Sequence, residues 1–455
     1  MTFTSVNPHD PADVLGEWEP AGRAEAEAAV GRAAAAAARW REVPAAARGK
    51  ALSDAAAALE QRSEEITSLV VREVGKPVTE ARGEVARGVA ILRYYAGAAL
   101  LPDGETIPAA APDQLLMTRH VPVGVAALIT PWNFPVAIPL WKAAPSLAYG
   151  NATILKPASA AAATALALRD VLGPFLPQDV FQVVLGGAAA AGALIDHPDV
   201  AAISFTGSSA VGRQISRRAA DRGCRVQAEM GGQNPSVVLA DADLDRAATA
   251  IAYASMGYAG QKCTATSRVI VEGAVYAAFR DRLAAAVDAL QVLDPADDKT
   301  LVGPVIDDGS RTSALAAVAS SGGRVLTGGK PLDAPGYYLA PTLVELDRPA
   351  GPLASEEVFA PVAALIRAET AHEAVSIANG VRYGLVAAVF TSDLGNSLRL
   401  TRRLDAGMIR VNAPTSGVDF QAPFGGAKES SYGPREQGLA ARYFYTESRT
   451  VLIVP

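Results

Sequence analysis

The stretch Val123-Gly124-Val125-Ala126-Ala127-Leu128-Ile129-Thr130-Pro131-Trp132-Asn133-Phe134-Pro135 opens the alternation that decides the fold. Residues 123–129 form an apolar run of strand length, and the residues after Pro135 carry a helix predicted over 136–149. The rhythm then repeats. Strands over 152–155, 180–185, 200–205 and 225–229 alternate with helices over 160–172, 188–197 and 210–222. Continuous apolar strands separated by helices belong to a doubly wound parallel sheet covered on both faces. A second α/β series follows, with strands over 235–239 and 268–271 and helices over 243–256 and 274–290. Upstream, Ala-rich segments predict helices over 22–42, 47–75 and 78–98, with the alanine run 33–38 read as a close-packed helix. Residues 98–122 read as a protruding hairpin around the turn Pro102-Asp103-Gly104-Glu105. The chain ends in the apolar run Val451-Leu452-Ile453-Val454.

A chain of 455 residues, half of them hydrophobic, is long enough for two or three structural units with a large core. A formal net charge of −6 leaves no basic footprint for nucleic acid and no polybasic patch for a membrane. No apolar run is long enough to span a bilayer, and the start of the chain has no signal-peptide pattern. Two cysteines, Cys224 and Cys263, argue against a disulfide framework and for a reducing, cytoplasmic setting. The four histidines are scattered, so neither a metal site nor His-based catalysis is expected.

The chemistry concentrates in a few segments. Cys263 lies among small and polar residues in Gly260-Gln261-Lys262-Cys263-Thr264-Ala265-Thr266, a setting for attack rather than core packing. Glu229 opens Glu229-Met230-Gly231-Gly232-Gln233-Asn234-Pro235, and Asn133 centres Pro131-Trp132-Asn133-Phe134-Pro135. A thiol nucleophile needs a base and an oxyanion donor, and these segments offer one of each. Thr206-Gly207-Ser208-Ser209-Ala210-Val211-Gly212 follows a strand and opens a helix, which provides a turn and a helix N-terminus suited to an anionic ligand. Leu155-Lys156-Pro157-Ala158-Ser159 ends a parallel strand, where α/β sheets bind ligands. Read singly, each has a plain structural explanation: a buried cysteine, a turn glutamate, a packing corner, a solvated lysine.

Taken together, Asn133, Glu229 and Cys263, in that order and spacing, resemble the aldehyde dehydrogenase superfamily. Glu356-Glu357-Val358-Phe359-Ala360-Pro361 fits the family's Glu-x-Phe-Gly-Pro pattern, with Ala360 where Gly is usual. Pro423-Phe424-Gly425-Gly426-Ala427-Lys428 and Ser431-Tyr432-Gly433-Pro434-Arg435-Glu436-Gln437-Gly438 extend the resemblance toward the C-terminus. The latter, with Cys263-Thr264-Ala265-Thr266-Ser267-Arg268, looks like the α-ketoglutaric semialdehyde branch.

The resemblance implies a fold of two doubly wound parallel-sheet domains plus a small β oligomerisation element. Residues 1–100 and 121–230 would be the dinucleotide-binding domain, 231–440 the catalytic domain, and 101–120 with 441–455 the oligomerisation element. It implies NAD or NADP as cofactor, an aldehyde as substrate, and a homodimer or homotetramer in which the C-terminal strand pairs with the hairpin of another subunit. Cys263 would attack the aldehyde, Asn133 and the Cys263 N–H would hold the oxyanion, and Glu229 would activate water. Lys142 would assist proton movement, although locally it reads as a solvent-facing helix lysine. Ile129, Thr130, Pro131, Trp132, Lys156, Ser159, Gly207, Ser208, Gly212, Glu357 and Phe359 would line the cofactor site. Ser159 stands where many NAD-preferring members carry Glu, so NADP should be accepted. Ala360 puts the local backbone in question if that position needs φ > 0. Arg87, Phe134, Trp141, Lys262, Thr264 and Phe424 would line the substrate tunnel, with Arg87 meeting a distal carboxylate. A CoA-acylating enzyme, a cofactor-independent thiol esterase and a catalytically silent binding protein on the same fold are the alternatives.

Overall fold

A computed structural model describes residues 2–455. Two sheets carry the architecture. The first has six strands in the order Ser431–Tyr432, Arg225–Glu229, Val200–Thr206, Val125–Thr130, Ala152–Pro157, Phe181–Val183. All neighbours are parallel except Ser431–Tyr432, which returns antiparallel against Glu229 and Ala228. Every residue of Val125–Thr130 and Ala152–Pro157 is buried, as expected for central strands with helices on both faces. One apolar core fills each face of this sheet. The second sheet has seven strands, Arg324–Thr327, Thr342–Leu346, Val362–Ala368, Thr266–Glu272, Asn234–Val238, Val386–Phe390 and Met408–Val411, parallel except for the first pair, and has its own core. The return strand Ser431–Tyr432 therefore lies within the 231–440 range but extends the first sheet, beside Glu229.

Helix Arg23–Trp40 buries Ala26, Ala29, Val30, Ala33, Ala36 and Ala37. Small side chains at helical spacing let this helix lie close to the sheet, so the alanine run is packed. The single helix expected over 47–75 is two, Ala45–Gln61 and Ser63–Val74. Arg62 leaves helical geometry at φ −100° and ψ 16°, and Glu64 and Glu65 then fill the first turn of the new helix, where negative charge is favoured. Gly75 ends that helix in left-handed geometry at φ 64° and directs the chain into Val78–Ala98.

The C-terminal strand corrects an expectation. Thr446–Ile453 pairs antiparallel with Leu115–Pro122 of its own chain, from Thr446 against Pro122 to Ile453 against Leu115. The cause lies just upstream. Phe444 and Tyr445 are buried in the core, and the Tyr445 carbonyl accepts from Val123 N at 3.3 Å and Asn151 Nδ2 at 3.0 Å. These bonds deliver the tail directly beside Pro122.

Glu73 is fully buried and accepts from Ser5 Oγ at 3.1 Å, Ala163 N at 2.7 Å, Thr164 N at 2.8 Å and Thr164 Oγ1 at 2.6 Å. It holds the N-terminal strand and the start of helix Ala162–Leu172 to one point. Glu73→Ala would leave these donors unpaired and should cost about 3 kcal/mol. Urea unfolding checks this: the midpoint should fall with the slope unchanged.

Candidate active site

Cys263 follows an unusual turn. Tyr258, Ala259 and Gly260 have successive positive φ values of 54°, 52° and 65°. Left-handed geometry costs about 1 kcal/mol or more at each non-glycine residue, so the surroundings must enforce it. Tyr258 N donates to Leu301 O at 3.0 Å, Gln261 N donates to Tyr258 O at 3.1 Å, and Gln261 Oε1 accepts from Ile306 N at 2.8 Å. A Cβ on Gly260 would run into the Ala360 carbonyl. The turn brings the half-buried Cys263 thiol to the wall of a cavity of about 470 Å³.

The first sheet supplies the partners. Asn133 lies just beyond strand Val125–Thr130, and its Nδ2 donates to Gln261 O at 2.9 Å. An amide nitrogen has two hydrogens, so one remains for a substrate oxygen. Glu229 ends its strand, fully enclosed, and accepts from Ser431 Oγ at 2.5 Å. The two glycines that follow it permit close approach. A Cβ on Gly231 would overlap the Glu357 carboxylate, and one on Gly232 would lie 2.8 Å from the Cys263 carbonyl. Asn234 Nδ2 donates to that carbonyl and to Ala265 O, both at 2.8 Å.

Electrostatics set the resting state. Burial, then the charges of Glu357 and Glu229, push the Cys263 thiol up to about 12. Burial pushes Glu357 up to about 7, opposed by the Gly232 N–H at 3.1 Å. Glu229 is raised by burial and then by the Glu436 charge, against Ser431, Lys142 and Arg435. A raised carboxyl pKa makes Glu229 a stronger proton acceptor once ionised.

Lys142 does not face solvent. It is buried in an ion pair with Glu436 and donates to Ser204 Oγ at 2.8 Å. Glu436 also accepts from Trp141 Nε1 at 2.7 Å. An unpaired lysine could not remain charged there, and Glu436 supplies the partner. Sequence reasoning gave no role to Glu436 or Ser431, although both fall in a polar run it quoted. Their partners lie hundreds of positions upstream, and local pattern carries no signal of that.

All six expected substrate-side residues, Arg87, Phe134, Trp141, Lys262, Thr264 and Phe424, line the cavity with Cys263. Lys262 is neutralised by Glu80 at 2.7 Å, and Glu84 is held in an ion pair with Lys76. Among the described residues Arg87 makes no ion pair; its Nη1 donates to the Val418 carbonyl at 2.5 Å. Glu80 and Glu84 are further residues of the cavity wall that local sequence pattern does not mark, and Lys76 pairs with Glu84 without lining the cavity.

Nine of the eleven expected cofactor residues lie at or just beyond the carboxyl ends of the first sheet's strands, while Glu357 and Phe359 come from the segment before strand Val362–Ala368 of the second sheet. Ile129 and Thr130 end one strand, followed by Pro131 and Trp132, while Lys156 ends its neighbour and Ser159 is exposed beyond it. Gly207 and Ser208 precede helix Ser209–Ala220, and Gly212 lies in its first turn. The hydroxyls of Thr130, Thr206 and Ser209 are buried without a partner, so this edge offers unsatisfied polar groups to a ligand. Lys156 Nζ donates to Pro157 O at 2.7 Å and Gly186 O at 2.9 Å, and burial lowers its pKa to about 8. The doubt over the backbone at Ala360 is resolved: the positive φ of this segment lies at Phe359, at 56°, and Ala360 does not adopt one. The Phe359 ring meets Trp132 edge-on at 5.8 Å.

Two doubly wound sheets, with a cysteine on the wall of a cavity and unsatisfied polar groups at the carboxyl ends of the first sheet's strands, fit a dinucleotide-linked oxidoreductase. Residues 1–451 match the aldehyde dehydrogenase family, and the chain belongs to it. It is 41% identical to the alpha-ketoglutaric semialdehyde dehydrogenase of Bacillus subtilis, with 99% of this chain and 94% of that protein covered. It is 36% identical to the 2,5-dioxopentanoate dehydrogenase of Saccharolobus solfataricus, covering 99% and 95%. Among solved structures, it superposes with a TM-score of 0.96 on PnpE in complex with nicotinamide adenine dinucleotide, at 34% identity, covering 100% and 94%. An NAD-dependent aldehyde dehydrogenase from Sinorhizobium meliloti gives the same TM-score at 33% identity, covering 100% and 91%. The protein is an NAD(P)-dependent aldehyde oxidoreductase.

A thiol pushed up to about 12 gains thiolate throughout the range below that value. Alkylation of Cys263 by iodoacetamide in the cofactor-free protein should therefore climb from about pH 7.5 to about pH 10 without levelling. Glu357→Gln removes a repelling charge and should speed alkylation at pH 8 by about threefold or more. A plateau below about pH 9 would contradict this assignment.

Proposed function

We propose that the chain oxidises an aldehyde carrying a distal carboxylate, a semialdehyde such as 2-oxoglutarate semialdehyde, to the acid. The observation that carries the reading is the shared cavity: Cys263 on one wall and, facing the same space, Arg87, a cation without a carboxylate partner. Cys263 gives up its proton to solvent and attacks the aldehyde carbon as the thiolate, and the free Asn133 N–H with the Cys263 backbone N–H holds the resulting oxyanion. Bound NAD or NADP supplies the two-electron acceptor for the aldehyde hydrogen, and the product remains as a thioester on Cys263. Glu229 then takes a proton from water, which attacks the thioester and releases the acid. Lys142 and Glu436 would pass that proton inward. A CoA-acylating enzyme needs no such base, and the enclosed, raised Glu229 favours hydrolysis.

In this reading the first sheet with residues 1–100 and 121–230 is the dinucleotide-binding domain, and 231–440 is the catalytic domain. Exposed Leu439, Tyr443, Leu452 and Ile453 support a homodimer or homotetramer, and the need for a free thiol supports a cytoplasmic setting.

Cys263→Ala should abolish turnover, and Glu229→Gln should retain one burst of reduced cofactor and then stall. Normal steady-state turnover in Glu229→Gln would remove the base assignment. Ser159→Glu should weaken NADP by repelling its 2′-phosphate while sparing NAD, which the ratio of kcat/KM for the two cofactors measures. Arg87→Met should raise KM for 2-oxoglutarate semialdehyde about tenfold or more, the loss expected of a charged hydrogen bond, and spare an uncharged aldehyde of similar length. Equal losses on both substrates would count against the carboxylate reading.

A further inference from the structure

Lys76 is one of the largest fully buried side chains, and its ammonium is sandwiched between two rings. Its Nζ lies 3.9 Å from the centroid of Phe134 and 4.5 Å from that of Tyr258, and these rings meet edge to face at 6.3 Å. Phe134 directly follows Asn133. Tyr258 begins the left-handed turn that leads to Cys263. One cation therefore touches both halves of the site, the segment bearing the amide and the loop bearing the thiol.

The charge partner of Lys76 reinforces the same junction. Glu84 pairs with it, and Glu84 Oε1 also accepts from Val136 N at 2.8 Å and Ala137 N at 2.9 Å, at the start of helix Ala137–Ala148. The entry of the chain into that helix, just past Phe134, is thus pinned to the same ion pair. On the other side, Tyr258 Oη donates to Val74 O at 3.4 Å, two residues before Lys76. Burying an ammonium is expensive, and an apolar side chain would fill the space at lower cost. A cation, however, attracts both ring faces toward one point, which an aliphatic chain cannot do.

We infer that Lys76 is a positioning residue that sets the gap between Asn133 and Cys263 by drawing Phe134 and Tyr258 onto one ammonium. This inference rests on the reading of Asn133 as the oxyanion donor and Cys263 as the nucleophile. Lys76 does not line the cavity that holds Cys263, and it acts through the two rings.

Two reactions of the same thiol separate this role from a general effect on folding. With p-nitrophenyl acetate, Cys263 sulfur bonds to the acyl carbon, the aryl ester C–O bond breaks and nitrophenolate leaves; the intermediate needs oxyanion support. With iodoacetamide, sulfur displaces iodide at a saturated carbon and no oxyanion forms. Lys76→Met should slow ester acylation about tenfold or more while alkylation stays within about twofold of the parent. For the aldehyde, kcat should fall while KM stays within about threefold. Tyr258→Leu leaves the Lys76–Glu84 pair intact, removes one ring, and should give the same split; it serves if Lys76→Met does not fold. Combining the two changes should add little to either alone. Equal loss of acylation and alkylation, or loss of neither, overturns the inference. Ester turnover surviving in Cys263→Ala would instead overturn the nucleophile assignment on which it rests.

Discussion

The hydrogen bond from Asn133 Nδ2 to Gln261 O joins the two sheet systems at the point where the proposed chemistry requires them to meet. Asn133 belongs to the edge of the first sheet, and Gln261 to the loop that leads into the second. An oxyanion donor is useful only when held where charge will develop, because reorganisation at the moment of reaction would forfeit the gain. The donor and the nucleophile loop are here bonded to each other directly. The left-handed turn at Tyr258, Ala259 and Gly260, the close approach at Gly232 and the Asn234 bonds to the Cys263 carbonyl all serve to keep that junction in register.

The cavity and its surroundings combine groups that would be unfavourable apart. Glu229, Glu357 and Glu436 surround a thiol whose ionisation they oppose. In the proposed mechanism Glu229 and Glu436 border the proton path, and Glu357 faces the cofactor. Positive charge is placed selectively. Lys142, Lys76 and Lys262 are each matched to a carboxylate, and Arg87 is left with a carbonyl. The guanidinium keeps donors free, and in the proposed function this charge asymmetry favours a carboxylate-bearing aldehyde over a neutral one.

Much of this was legible because it is local. The strand over 225–229 has the bounds read from sequence, and the burial of 125–130 and 152–157 follows from their continuous apolar character. Asn133, Glu229 and Cys263 stood out because glycine and proline surround them. What was not legible depends on distant parts of the chain. Glu436 and Ser431 acquire meaning only when the return strand reaches the first sheet. Nothing in the sequence around Lys76 signals its place between Phe134 and Tyr258. The break at Arg62 replaces one long helix with two because the sequence on either side is equally helical. The C-terminal strand was assigned to a neighbouring subunit, and the anchoring of Tyr445 returns it to its own chain. Ala360 was suspected of strain that Phe359 carries.

The antiparallel return at Ser431–Tyr432 bears on the order in which the protein can be built. Lys142 and its partner Glu436 are separated by 294 positions, and Ser431 lies 202 positions from Glu229. A ribosome emits the amino-terminal strands long before the segment that neutralises their buried lysine and holds their buried carboxyl. Until that segment arrives the first sheet has an open flank, and closure there is a late event in the life of the nascent chain. Cys263 emerges earlier than Ser431 and Glu436, so on the proposed mechanism a chain cut short between them would carry the nucleophile without the network needed to complete a turnover.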